Sequence, residues 1–368
     1  MGLLRTILAI AVVFAHLPFG GSFVFIGGLH AVQLFYFISG YLIAHVIATN
    51  KSYENPLKFY LNRILRIYPI YLAVAFLSLL YAILINQKFL DLYQNIPASA
   101  DALLIFSNLF IFGQDWVMFS GVNEGHLVAT SDFKKSDFLL HTGLLVPQAW
   151  TLGVELSFYA LAPYVLRDKK MIFVLLILSL SIRWFLFNQG LGNRDPWNYR
   201  FFPAELSLFL MGALSNQYLL PFWRKIISLA PFRALPRLAT YLVICLVVFY
   251  FRIPVNEAIK GPLLFSVFLL FMPLTFLYQS TSKIDQAIGE LSYPIYICHL
   301  LIIRITNDMS ERLNIFDHFG ILCACLFMSL MFAYLLNRHI GDRIEQLRTK
   351  IRGVRIKTAN QPLFDRAG

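Results

Sequence analysis

Charge is scarce in this chain. Only 14% of its 368 residues are Asp, Glu, Lys or Arg, where a soluble domain carries about a quarter. Mean hydropathy is +0.65. So little charge excludes an ordinary water-soluble globular protein and points to a polytopic membrane protein. Cysteine is thin as well. Cys245, Cys298, Cys323 and Cys325 all fall in apolar runs, and no spacing among them suggests a disulfide frame or a zinc site. No internal repeat is visible. No separate basic domain exists of the kind nucleic-acid binding needs, so the formal net charge of +11 is read as loop bias and attraction to a lipid surface. The N-terminus lacks a small-residue cleavage site, so the first segment is read as a membrane anchor. MGLLRT fits a loose acylation pattern, but an apolar span starts at once.

What is abundant is apolar sequence, 58% of the residues. A spanning helix needs roughly 20 residues. Runs of about that length fall at 2–19, 24–49, 67–86, 149–166, 171–188, 200–219, 238–252, 261–279, 289–306 and 318–337. The run 101–118 (DALLIFSNLFIFGQDWVM) is ambiguous, and charge decides it. If it does not cross, 21 of the 31 Lys and Arg residues fall on the side of Arg5 and nine on the other, with Arg183 inside a span. That asymmetry follows the positive-inside rule. Counting 101–118 as a crossing puts the RDKK loop at 167–170 outside and reverses every later loop. The expectation is an all-α bundle of about ten transmembrane helices, both termini cytoplasmic, with 101–118 re-entrant or lying on the surface. Residues 1–337 form the membrane domain and 338–368 a basic cytoplasmic tail. The polar insertion 119–147 is expected outside.

Charged groups in such helices are costly and usually face the bundle interior. In RTILAIAVVFAH, Arg5 and His16 are eleven positions apart. Eleven residues make three turns plus about 20°, so both lie on one face, about 16 Å apart along the axis. Arg63 and Arg66 are helical neighbours, and a pair of guanidiniums suits phosphate. In QAWTLGVELSF, Trp150 is an interface anchor by type. Glu155 then lies about a turn and a half in, at a depth like that of His16. A carboxylate beside an imidazole orients a general base. Gly27, Gly28, Ser39 and Gly40 allow close helix approach. Ser39 is open to two readings, nucleophile or packing residue. Tyr296 and His299 share a face, while Cys298 points elsewhere. His30 and Gln33 add polar groups near the outer end, and Glu205 is a further buried acid.

Together these pieces resemble the acyltransferase 3 family of integral membrane acyltransferases, which O-acetylate bacterial surface glycans. The resemblance spans about 1–337. The family's Arg-x10-His is matched by Arg5 and His16, and its Leu-Phe-Phe-x-x-Ser-Gly-Phe-Leu-Ile by LFYFISGYLI at 34–43. Its Arg-x-x-Arg is matched by Arg63 and Arg66, its Trp-Ser/Thr-Leu-x-x-Glu by WTLGVE at 150–155, and its Ser-Tyr-x-x-Tyr-x-x-His by SYPIYICH at 292–299. Two stretches depart from the pattern. Ala31, Val32 and Gln33 stand where Gly-Val-Asp is frequent, and Leu156 stands where a second acid is frequent.

The resemblance implies acetyl-CoA or another acyl-CoA as donor, entering from the cytoplasm of a bacterial cell whose inner membrane holds the protein. Arg63 and Arg66 would take its nucleotide phosphates, with Ser39, Tyr296 and His299 along the donor's path. His16, oriented by Glu155, would deprotonate the acceptor; Arg5 would face the donor path or pair helices. An acyl-enzyme on His16 or Ser39 is the chemical alternative. No metal is implied. The acceptor would be a lipid-linked surface glycan, such as lipopolysaccharide O-antigen or exopolysaccharide, recognised by the 119–147 and 189–199 loops. Two competing readings are a transporter or flippase of a lipid-linked glycan, for which buried His, Glu and Arg would form a proton relay, and an acyltransferase acting on a small molecule.

Overall fold

The computed structural model describes residues 1–17, 25–85, 88–313 and 317–352. Among the described residues, fourteen α-helices carry the fold: α1 (Gly2–Ala15), α2 (Gly27–Thr49), α3 (Pro56–Leu84), α4 (Lys88–Asn95), α5 (Ala98–Phe110), α6 (Trp150–Val165), α7 (Lys169–Asn188), α8 (Phe202–Leu214), α9 (Leu220–Ile227), α10 (Leu235–Phe249), α11 (Glu257–Gln279), α12 (Lys283–Leu313), α13 (His318–Leu336) and α14 (Asp342–Ile351). Among the described residues, seven helical segments are long and apolar enough to cross a membrane. They include α2, α3, α7, α11 and α12. Three further expected spans are the shorter helices α1, α6 and α8.

The outer surface of these helices is oily. Helix α7 runs 20 residues yet has only 17% of its spanning window buried. Phe173, Ile177, Trp184 and Phe187 all point outward. Such a helix is stable only where lipid covers it. Helices in lipid gain nothing from excluding water from one another, so they associate by close packing. Small residues mark the tightest crossings. A Cβ on Gly40 of α2 would sit 1.9 Å from the Phe209 carbonyl of α8, and one on Gly212 would sit 2.0 Å from that of Phe37. Helix α1 crosses α12 in the same way, where a Cβ on Gly2 would meet the Asp285 carbonyl at 1.6 Å. The Asp285 side chain accepts from the backbone N–H groups of Gly2 and Leu3, at 2.6 and 2.8 Å. It thereby satisfies two donors that a helix start leaves free.

Several boundaries differ from the sequence expectation. Helix α3 starts at Pro56 rather than near 67. Asn55 caps it, its side chain accepting from Leu57 N–H at 2.9 Å, and proline is well tolerated in a first helical turn. Arg63 and Arg66 therefore lie within the helix, not in a flanking loop. The run 101–118 forms only the 13-residue α5, ended by Ile111 at φ +60°, and 13 residues rise about 20 Å, too short to cross. Asn108 of α5 accepts from Leu145 N–H at 2.8 Å and donates to the Gly143 carbonyl at 3.0 Å. The insertion is not wholly irregular. Strands β1 (Ser120–Asn123) and β2 (His126–Ala129) form an antiparallel hairpin, turned by Glu124 and Gly125, both at positive φ, as a two-residue hairpin turn requires. The tail is partly ordered too. A π-turn over Asn337–Gly341 leads into α14, which packs against α3. Residues 353–368 lie outside the described residues, as does 18–24, the outer end of the first expected span.

Candidate active site

Two adjoining cavities lie in the bundle at the end that carries Arg63 and Arg66. The wider holds about 610 Å³ and is lined by Met1, Arg5, Arg66, Glu290, Arg348 and Arg352, among others. The narrower holds about 90 Å³ and lies between α1, α2, α3, α6 and α12. Arg5, Leu42, Arg66 and Tyr293 line both, so the two share a wall.

Six of the expected site residues line the narrow cavity: Arg5, Ser39, Arg63, Arg66, Glu155 and Tyr296. Ser39 of α2 donates to Glu155 Oε1 of α6 at 2.6 Å. Tyr159, one turn on, donates to the same oxygen. Oε2 is left as the acceptor still available to the cavity, where Arg5 is within electrostatic reach. The Arg63 guanidinium stacks over the rings of Phe59 and Tyr159, at 5.7 and 5.9 Å. Burial against aromatic faces suits guanidinium better than ammonium, because its charge is delocalised and weakly hydrated. At the far end, Tyr296 accepts from Thr151 Oγ1 at 3.0 Å and donates to the Gln148 carbonyl at 3.2 Å.

The remaining two, His16 and His299, stand together outside that lining. Their ring centroids are 5.0 Å apart. The Tyr296 ring lies 5.8 Å from that of His299, so one tyrosine links the cavity to the histidine pair. His16 contacts the Val12 carbonyl through Nδ1 at 2.8 Å, and His299 contacts the Tyr296 carbonyl through Nδ1 at 2.7 Å. A carbonyl can only accept, so Nδ1 of each ring carries the proton. Each Nε2 then keeps a lone pair. His299 Nε2 is buried and has no partner among the described residues.

The expected contact between Glu155 and His16 is not made. Glu155 lies with Arg5, at the other end of α1 from His16. The Glu155 carboxylate instead accepts from the hydroxyls of Ser39 and Tyr159. Trp150, expected as an interface anchor, is buried, with the Arg200 guanidinium stacked over it at 4.1 Å and Tyr199 edge-on at 5.1 Å. Backbone carbonyls hold the histidines instead. Arg183 and Glu205, each read singly from the sequence, turn out to be one ion pair at 2.8 Å. It joins α7 to α8 away from the cavities. Thr151 and Tyr293 fell inside the matched motifs but were given no role in the sequence reading. Tyr159 escaped it, although it carried a local signal, four residues from Glu155 on one helix face.

Comparison with known proteins agrees with this architecture. A family model described as an acyltransferase domain matches residues 1–338. An uncharacterized protein of Aquifex aeolicus is 26% identical over 221 residues, covering 55% of this chain and 89% of that protein. The peptidoglycan O-acetyltransferase OatA of Listeria monocytogenes is 22% identical over 333 residues, or 84% of this chain. The alignment spans about half of OatA's own length, 50%. No solved structure matches. With a match over nearly its whole length and a bundle of apolar helices, the chain belongs to the acyltransferase 3 family and is a multi-pass membrane acyltransferase.

Proposed function

We propose that the protein moves an acyl group, most simply acetyl, from cytoplasmic acyl-CoA to a hydroxyl of a cell-surface polysaccharide, working in the bacterial inner membrane. The observation that carries the reading is the pair of adjoining cavities, one wide and arginine-lined and the other narrow. A donor with a bulky phosphorylated nucleotide and a thin acyl-bearing arm matches that taper. Arg63 and Arg66 would hold its phosphates by charge-assisted hydrogen bonds. Ser39, Tyr159 and Glu155 would line the arm's path, with Glu155 Oε2 free to accept from the arm's amide N–H groups. Tyr296 would deliver the thioester to the histidine pair.

His16 would act as general base. Its Nδ1–H is fixed on the Val12 carbonyl, which presents Nε2 to an incoming hydroxyl. The hydroxyl oxygen attacks the thioester carbonyl carbon and gives its proton to Nε2. A C–O bond forms, the C–S bond breaks, and the proton passes to the departing thiolate. The acceptor as a peptidoglycan-like or other surface glycan follows the likeness to OatA. The 119–147 insertion, whose Lys134 pairs with Asp195 of the loop before α8 at 3.6 Å, would frame its site.

Membranes carrying the protein, given acetyl-CoA labelled in the acetyl group, should place label in base-labile form on surface glycan. Membranes carrying His16→Ala should not. Label appearing only on a small soluble product would redirect the acceptor and leave the donor intact.

A further inference from the structure

The segment after residue 338 lies beyond the matched family domain, yet it folds back onto the inner machinery. The Ser52 hydroxyl donates to the Arg352 carbonyl at 3.0 Å, pinning the end of α14 beside the start of α3. This places Arg348 against the Asn62–Arg63 pair. Arg63 Nη2 donates to Asn62 Oδ1 at 2.9 Å, and Arg348 Nη2 donates to that same oxygen at 3.3 Å. Two guanidiniums thus converge on one neutral acceptor.

The surroundings do not satisfy them. Arg63 is 5% exposed and Asn62 is fully buried. Arg63 Nε, Arg348 Nε and Asn62 Nδ2 are buried donors with no partner among the described residues. Glu345 accepts from both Arg348 and Arg352, so its two oxygens are engaged. Glu290 and Asp342 also line the wide cavity. Three unmatched donors on a site flanked by Arg66 call for an anion with at least three acceptor oxygens, which a phosphate supplies and a single carboxylate does not. Their place is telling: Arg63 lines the narrow cavity, Arg348 the wide one and Arg66 both. Phosphates joining a bulky nucleoside to a thin arm would fall at that junction.

We propose that α14 completes the donor site: Arg348, reaching Asn62 beside Arg63, is a third phosphate-binding guanidinium and sets selectivity for a phosphorylated donor. This rests on the acyl-CoA reading above.

The test titrates CoA into the full chain held in nanodiscs of neutral lipid. Arg348→Ala should weaken CoA binding about 10- to 100-fold, the span expected when a hydrogen-bonded charge is lost. Binding of pantetheine, which has no phosphate, should be unchanged. Arg348→Gln can still reach Asn62 and serves if the alanine variant does not purify; it should lose CoA affinity similarly. Arg348→Lys should recover part of it. CoA affinity within twofold of wild type in both neutral variants, with Arg63→Ala still weakening it, overturns the role of α14 and leaves the donor reading intact. Failure of the wild type to bind CoA overturns both. If the variants lose binding of an anionic phospholipid added to the nanodiscs but keep CoA, the phosphate belongs to a lipid headgroup, and the proposal falls.

Discussion

Ser39 on α2 donates its hydroxyl to Glu155 on α6 across 2.6 Å, and Tyr159 donates to the same carboxylate oxygen. The bond makes Ser39 a partner of an acid rather than an isolated hydroxyl. A serine activated as a nucleophile needs a base to take its proton, with its oxygen aimed at the substrate. The cavity gives both readings a common test. If Ser39 is a positioning residue, Ser39→Ala should lower transfer about tenfold, the worth of one hydrogen bond to a charged group. No acyl label should remain on denatured wild-type protein. Glu155→Ala should cost far more, because it strands the Ser39 and Tyr159 hydroxyls and removes the one acid among the described residues lining the narrow cavity. Loss of all transfer in Ser39→Ala, with acyl label trapped on wild-type protein, would establish the covalent route instead.

His16 stands outside the cavity that binds donor in this reading. Its substitution should separate chemistry from binding. His16→Ala should reduce transfer about 10²- to 10⁴-fold, the usual worth of a general base. CoA affinity should stay within about twofold of wild type. A variant that loses CoA binding in parallel would make His16 a binding residue.

The Arg183–Glu205 pair is unequal. Glu205 is fully buried, whereas the Arg183 side chain is 33% exposed. Glu205 also accepts from Gln33 at 3.4 Å. Removing Arg183 strands a carboxylate in the bundle, which costs about 3–5 kcal/mol. Removing Glu205 leaves a guanidinium that can reach the lipid headgroups or water, at smaller cost. Thermal unfolding in detergent should therefore place Arg183→Met below Glu205→Leu. The double variant should lie above Arg183→Met. Equal losses in the two single variants would contradict the asymmetry.

Orientation across the membrane can be read by labelling. Lys135, in the insertion before α6, is 83% exposed, and Lys170, at the start of α7, is exposed as well. In intact cells an impermeant maleimide should modify Lys135→Cys at once and Lys170→Cys only after lysis. The exchange of those two results would turn the bundle over and place the arginine-lined cavity outside.

Much of this protein is written locally. Apolar runs of about 20 residues are membrane helices because lipid offers no partners for a bare backbone. That logic needs no tertiary contact, and it located the helices here, including the three that proved short. Motif residues such as Arg63, Arg66, Ser39 and Glu155 were legible as chemistry out of place in oil. Their grouping was not. That Glu155 shares a cavity with Arg5 and accepts from Ser39, while His16 stands beside His299, depends on how α2, α6 and α12 pack around α1, through residues more than a hundred apart in the chain. The same holds for Arg348, which looks in sequence like one more positive charge in a basic tail. Only the fold-back of α14 brings it to Asn62, 286 residues away. Composition and periodicity are summed along the chain, so the sequence alone determined the membrane bundle and its candidate residues. Packing between distant helices is set by side-chain shape and by the partners each buried polar group must find, and that only the tertiary structure decided.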